Sequence, residues 1–185
     1  MKYVVTIILI GCLFLIGHGC RTHRNTDSAP KVEDLLVEQG DLPDGFSGGQ
    51  IADTRPKMFD KLPYGEKEVH QKFQRSQEAA GGVSIFIYKS QGDLERAYNQ
   101  VVTGFGQAMD SYGVKSERHV LSNVGEKAEG TFAIYTTMQS RFTNGEVAFV
   151  RCGALVHIRL SDTPWDQITT YANRLDERLR PRLCK

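Results

Sequence analysis

Between residues 131 and 160 the chain alternates apolar and polar positions in three short runs separated by turn-forming dipeptides. Alternation of this kind marks half-buried strands, because successive side chains leave a strand on opposite faces. The pattern predicts strands over 131–142, 146–151 and 154–160. Asn144-Gly145 is a preferred two-residue hairpin turn. Centring it sets Phe142 opposite Val147 and Ser140 opposite Phe149. Phe132, Ile134, Met138 and Phe142 then share the face of Val147 and Phe149. Centring the next turn on Cys152-Gly153 places Phe149 opposite Val156 and Val147 opposite Ile158, again on the apolar face. On the other face Glu146 meets Arg159, an opposite-charge cross-strand pair. A one-residue slip would turn the whole apolar set to water.

Upstream, 69–75 and 83–89 read as two strands, with Ala79-Ala-Gly-Gly82 as the hairpin between them. The second, Val83-Ser-Ile-Phe-Ile-Tyr-Lys89, is apolar on both faces at its centre, which suits a strand covered on both sides. Ser90-Gln-Gly-Asp93 resembles a capping box. Leu94, Ala97, Tyr98, Val101, Val102, Phe105, Met109 and Tyr112 then recur at helical spacing, and Gly113 ends the helix. Gly104 and Gly106 weaken it by about 1 kcal/mol each relative to Ala, and are read as marks of close contact with the sheet. A further strand covers 114–121.

The last helix opens with Thr163 as cap, Pro164 in the first turn and Asp166 completing the box. Trp165, Ile168, Ala172, Leu175 and Leu179 form its stripe. Arg174, Arg178 and Arg180 gather near its C-terminus, where the helix dipole favours cations. Residues 30–39 read as a short helix and 41–65 as loop packed on the domain. The resulting order, β-β-α-β-β-β-β-α, predicts an α+β fold: an antiparallel sheet with helices packed on one face.

The N-terminus changes the picture. Lys2 is followed by an uncharged apolar run and then Gly17-His-Gly-Cys20. One basic residue, an apolar run of secretory length and a small-residue exit describe a signal peptide. Gly19-Cys20 fits the end of a lipoprotein signal, so 1–19 is read as leader and Cys20 as the lipid attachment site. Cys12 and an uncleaved N-terminal anchor are the alternatives. Residues 20–31 are polar and form a tether, leaving 32–185 as one domain.

The chain carries 23 Lys and Arg against 22 Asp and Glu, and removing Lys2 with the leader balances them. A balanced charge argues against nucleic acid as a partner. Outside the cytoplasm, Cys152 and Cys184 read first as a disulfide joining a hairpin tip to the end of the last helix, with two buried thiols as the alternative. They form no C-x-x-C, so neither redox nor zinc chemistry is indicated.

Few residues suggest chemistry. Gly45-Phe-Ser-Gly-Gly49 matches G-x-S-x-G, which requires a preceding strand and a following helix. The flanking sequence offers neither, so a flexible Gly-rich turn is expected around Ser47. The domain and tether hold His23, His70, His119 and His157, none at metal-ligand spacing. His157 falls opposite Ala148 on the outward face with Arg159, and His70 lies beside Lys72; both are expected to be exposed. Gly104-Phe-Gly106 lacks the context of a dinucleotide site. Glu126 and Glu129 read as a solvated loop, and Tyr88, Tyr98, Tyr112, Tyr135 and Tyr171 as core or rim. No catalytic residue, metal or cofactor is assigned.

Asp41-Leu-Pro-Asp-Gly-Phe46, Gly125-Glu-Lys-Ala128 before a long strand, the Arg151-Cys-Gly153 hairpin and a final helix rich in Leu, Ala and Arg carry a resemblance over residues 32–184. The chain resembles a loose group of uncharacterised bacterial lipoproteins and the sensor-like outer domains of some bacterial serine/threonine kinases. That resemblance implies an α+β sandwich and a ligand-sensing or scaffolding role, and it brings no catalytic residues. The expectation is a non-enzymatic binding or sensor-like module of the bacterial cell envelope. It would be extracytoplasmic, anchored to a membrane by lipid, with a small ligand or a protein as partner. The alternatives are a structural subunit of an envelope complex and an enzyme, which a cleft of pKa-shifted histidines or carboxylates would favour.

Overall fold

The computed structural model describes residues 30–75, 80–136 and 141–184. The leader, Cys20 and the tether up to residue 29 lie outside the described residues, as do Ala79, Met138 and Ser140. Among the described residues, seven strands form one antiparallel sheet: β1 (Ser47–Ile51), β2 (Lys67–Gln74), β3 (Ala80–Ile87), β4 (Ser116–Val120), β5 (Lys127–Thr136), β6 (Arg141–Arg151) and β7 (Ala154–Ser161). Their order across the sheet is β1-β2-β3-β7-β6-β5-β4. Three α-helices accompany them: α1 (Val32–Leu35), α2 (Gln91–Ser111) and α3 (Trp165–Leu183). The α+β class is as expected.

The helices are divided between the two faces of the sheet, not gathered on one. Ile168, Ala172, Leu175 and Leu179 of α3 pack with Val83, Ile85, Val147, Phe149, Val156 and Ile158. Leu94, Ala97, Tyr98 and Val101 of α2 pack with Phe86, Ala148, Val150 and Leu155. Strand residues of opposite parity thus serve different helices, as the two-residue period of a strand requires. Ser90 caps α2 by accepting from the Asp93 N–H at 3.3 Å. Thr163 caps nothing. It donates to the Ser161 carbonyl, and α3 begins one residue later than expected, after Pro164.

The β6–β7 register follows the expectation, with Phe149 opposite Val156, Val147 opposite Ile158 and Glu146 opposite Arg159. The β5–β6 register does not. Asn144 and Gly145 lie inside β6, paired with Ala133 and Phe132, and Phe142 pairs with Tyr135 on the other face from Val147. The reason sits on α3. A Cβ on Gly145 would fall 2.4 Å from Ile168 Cδ1, and one on Gly130 would fall 2.4 Å from Trp165. These glycines are seats for the helix, not turn residues. Gly81 and Gly82 likewise lie in β3, opposite Phe73 and Lys72, so they are strand residues where a hairpin turn was expected.

The N-terminal segment is shaped by tertiary contacts. The helix expected over 30–39 stops at Leu35, and Leu36 is extended. The Gln71 amide takes both backbone groups of Val37: its Oε1 accepts the N–H at 2.6 Å and its Nε2 donates to the carbonyl at 3.1 Å. Arg174, Arg178 and Arg182 of α3 donate to the carbonyls of Leu42, Leu36 and Asp34. These α3 arginines clamp the entering chain. Within the stretch expected as loop, β1 pairs with β2 through a bulge between Gly48 and Gln50. Cys152 and Cys184 form a disulfide, Cα atoms 5.4 Å apart, tying the β6–β7 turn to the end of α3.

Candidate functional site

Four neighbouring strands build a polar field on the α2 face. His70 of β2, Ser84 of β3, His157 of β7 and Ala148 of β6 lie side by side across the sheet. The next row is Lys72, Gly82, Arg159 and Glu146. Beyond it Ser161 faces Asn144. At the other end of the same face, α2 covers the apolar patch of Phe86 and Leu155. The 3-10 turn Lys57–Phe59 lies over the first polar row. Its Phe59 ring stacks on His70 with centroids 5.8 Å apart and meets His157 edge-on at 5.3 Å.

A cavity of about 310 Å³ remains, with Gly82 and Ser84 in its floor and Met58, Phe59, Asn144 and Arg159 in its walls. A second cavity of about 490 Å³ lies between the turn and α2, against Leu62, Phe105 and Glu146. Met58, Phe59 and Arg159 line both.

The polar groups are linked but incompletely satisfied. His157 Nε2 lies 3.0 Å from Glu146 Oε2, and Arg159 Nε lies 3.5 Å from Glu146 Oε1. Arg159 also stands 6.0 Å from the Phe105 ring centroid. On the first row, Glu68 Oε2 receives Arg55 Nε at 3.2 Å and lies 3.4 Å from His70 Nε2. Burial lowers the His70 pKa below its usual value, because a charged imidazole would lose its hydration; Glu68 opposes this without reversing it. His70 is only 6% exposed and Asn144 only 7%. His70 Nε2 has only the 3.4 Å contact with Glu68, and His70 Nδ1 and Asn144 Oδ1 have no hydrogen-bond partner among the described residues. Buried polar groups are nearly always partnered by protein or water. Two unpartnered polar atoms, His70 Nδ1 and Asn144 Oδ1, in one cavity wall therefore mark a place where a ligand or water completes the structure.

His70 and His157 correct the sequence reading, which put both in solvent. Each is buried because α2 and the 57–59 turn cover the second face of the sheet. A signal was present: β3 is apolar on both faces, and His157 sits among Leu155, Val156 and Ile158. The other singled-out residues do not join the site. Ser47 opens β1, bonds the Gln74 carbonyl at 3.3 Å and has no preceding strand among the described residues, so it forms no nucleophile elbow. The segment around it is strand, not a free turn. Glu126 accepts the Cys152 N–H at 2.8 Å, whereas Glu129 accepts from Tyr98 and pairs with Arg118. The two carboxylates hold separate contacts. His119 stacks on Trp165. Tyr88, Tyr98 and Tyr171 are core, and Tyr112 is exposed.

Ser84, His157 and Glu146 stand on three adjacent strands, in the order nucleophile, base and acid. No hydrogen bond joins Ser84 to either histidine among the described residues, and the backbone around Ser84 is engaged in pairing with β2 and β7. Acyl transfer needs free N–H donors aimed at the developing oxyanion. Among the described residues no group of three His, Cys, Asp or Glu side chains is placed to hold a metal. Nor is any described helix long and apolar enough to cross a membrane. No protein-family model matches the chain, and no curated protein shows significant similarity to it.

Proposed function

We propose that this protein is a membrane-tethered extracytoplasmic binding module, without catalytic activity, whose ligand site is the cavity over Gly82 and Ser84. The observation that carries the proposal is the pair of unpartnered atoms on buried side chains, His70 Nδ1 and Asn144 Oδ1, in the wall of a cavity of about 310 Å³. That volume lies at the lower end of the range for small-molecule sites. An export signal, Cys20 and a polar tether support the envelope location, and the Cys152–Cys184 disulfide suits an oxidising compartment. The resemblance to sensor-like outer domains points the same way.

Intact mass measurement of the protein extracted natively from its membranes tests both parts. A chain starting at Cys20 with added acyl mass, carrying a further mass lost on denaturation, is the expected result. Gly82→Val, which fills the cavity floor, should lose the second mass and keep the first. An unmodified N-terminus overturns the anchoring. An empty protein, or a bound mass that persists in the Gly82→Val variant, overturns the site.

Catalysis is the second reading, favoured by Ser84, His157 and Glu146 on adjacent strands and by the lowered His70 pKa. The engaged backbone around Ser84 weighs against it. Ester turnover by the purified protein that disappears in Ser84→Ala would replace binding with hydrolysis.

A further inference from the structure

We infer that the ligand of this cavity is a small organic anion, a carboxylate carried on a compact apolar body; this rests on the cavity being a binding site. Three features of the second polar row carry the inference. Lys72 and Arg159 flank Gly82 on the neighbouring strands, so two cations stand either side of a floor that has no side chain. The carboxylate in that row, Glu146, is already engaged by His157 and Arg159. Lys72 is exposed and has no ion-pair partner among the described residues. The row therefore holds one more positive group than its acid matches. Charge-assisted hydrogen bonds from Lys and Arg to a carboxylate are short and roughly twice as strong as neutral ones.

The remaining walls describe the rest of the ligand. Pro56, Met58 and Phe59 form an apolar side. The absent side chain at Gly82 lets a flat or slender body lie against the strand backbone. Ser84 and Asn144 add neutral donors beside the cations. A cationic ligand would face Lys72 and Arg159 directly. A purely apolar one would leave His70 Nδ1 without a partner and the excess positive charge of Lys72 and Arg159 unmatched. A cavity volume of about 310 Å³ matches a body of a single ring or a short chain.

The test uses three isosteric probes on the intact protein extracted from its membranes: 4-fluorobenzoate, 4-fluorobenzyl alcohol and 4-fluorobenzylamine, followed by fluorine NMR. The carboxylate is expected to bind roughly tenfold tighter than the alcohol, as one charge-assisted contact predicts, with the amine weakest. Arg159→Gln and Lys72→Gln should each abolish that preference; Lys72→Gln should leave the melting temperature unchanged, since Lys72 is exposed and pairs with no acid among the described residues, whereas Arg159→Gln also removes a partner of Glu146 and should lower it. If the alcohol or the amine binds as well as the carboxylate, and Gly82→Val still blocks it, the anion inference is overturned and the binding site stands. If no probe binds at millimolar concentration, or if binding survives Gly82→Val, the inference and the site fall together.

Discussion

Asp176 is fully buried in α3, yet it holds its charge. Burial alone would raise its pKa, but Arg151 donates Nε to Oδ1 at 2.7 Å and the Gly125 N–H donates to Oδ2 at 2.9 Å, so the net shift is downward. His70 shifts downward for the opposite reason, since burial disfavours its charged form. Both shifts make the folded state bind fewer protons than the unfolded chain, so stability rises with pH through each region. For His70 the stability is complete above about pH 6.5, its unfolded value, and declines as pH falls toward the lowered folded value. For Asp176 it is complete above about pH 4 and is lost as pH falls through the folded value. Urea unfolding across pH 3 to 8 should show two separate declines. His70→Gln should remove the upper one. Asp176→Asn should remove the lower one and cost about 3 kcal/mol at neutral pH, because it leaves Arg151 without its counter-charge.

Glycine separates the two long helices at the scale of elements. The α2 pair does not mark close packing: nothing lies within 4 Å of a Cβ built on Gly104, and the nearest atom to one on Gly106 is 3.8 Å away. These glycines only weaken the helix. Gly104→Ala should therefore stabilise the protein by about 1 kcal/mol. Gly130 is different, because a Cβ there would meet Trp165 at 2.4 Å and the Glu146 carbonyl oxygen at 2.8 Å. Gly130→Ala should destabilise by about 2 kcal/mol through overpacking. Paired thermal melts of the two variants check both signs. The same residue type is thus decoded only by what lies above it, which is why Asn144-Gly145 reads locally as a turn and folds as strand.

For the whole molecule, the disulfide and the α3 arginines perform related tasks. Cys152–Cys184 closes a loop with a sequence separation of 32 residues around β7 and α3. Chain entropy alone assigns such a cross-link about 3–4 kcal/mol. Unfolding in urea with and without reductant should differ by that amount, and a Cys152→Ser/Cys184→Ser double variant should match the reduced protein. The arginines instead hold residues 34–42 against α3, which keeps the entering chain on the face opposite the cavity.

What could be read from the sequence was what local chemistry decides. The α+β order, the α2 and α3 stripes, the Ser90 cap, the β6–β7 register and the Cys152–Cys184 pairing all follow from periodicity, turn chemistry and composition. Most involve neighbours along the chain or one hairpin. Tertiary structure alone decided which face each helix covers. That choice buried His70, His157 and Glu146 and left a cavity beside them. It also ended α1 at the Gln71 amide and recruited a Gly-rich segment as β1. The physical reason is that a strand's alternation tells which residues share a face, but not whether that face meets water or another element. A polar face in the sequence looks the same whether it is solvated or roofed, and here the roof is what encloses the cavity.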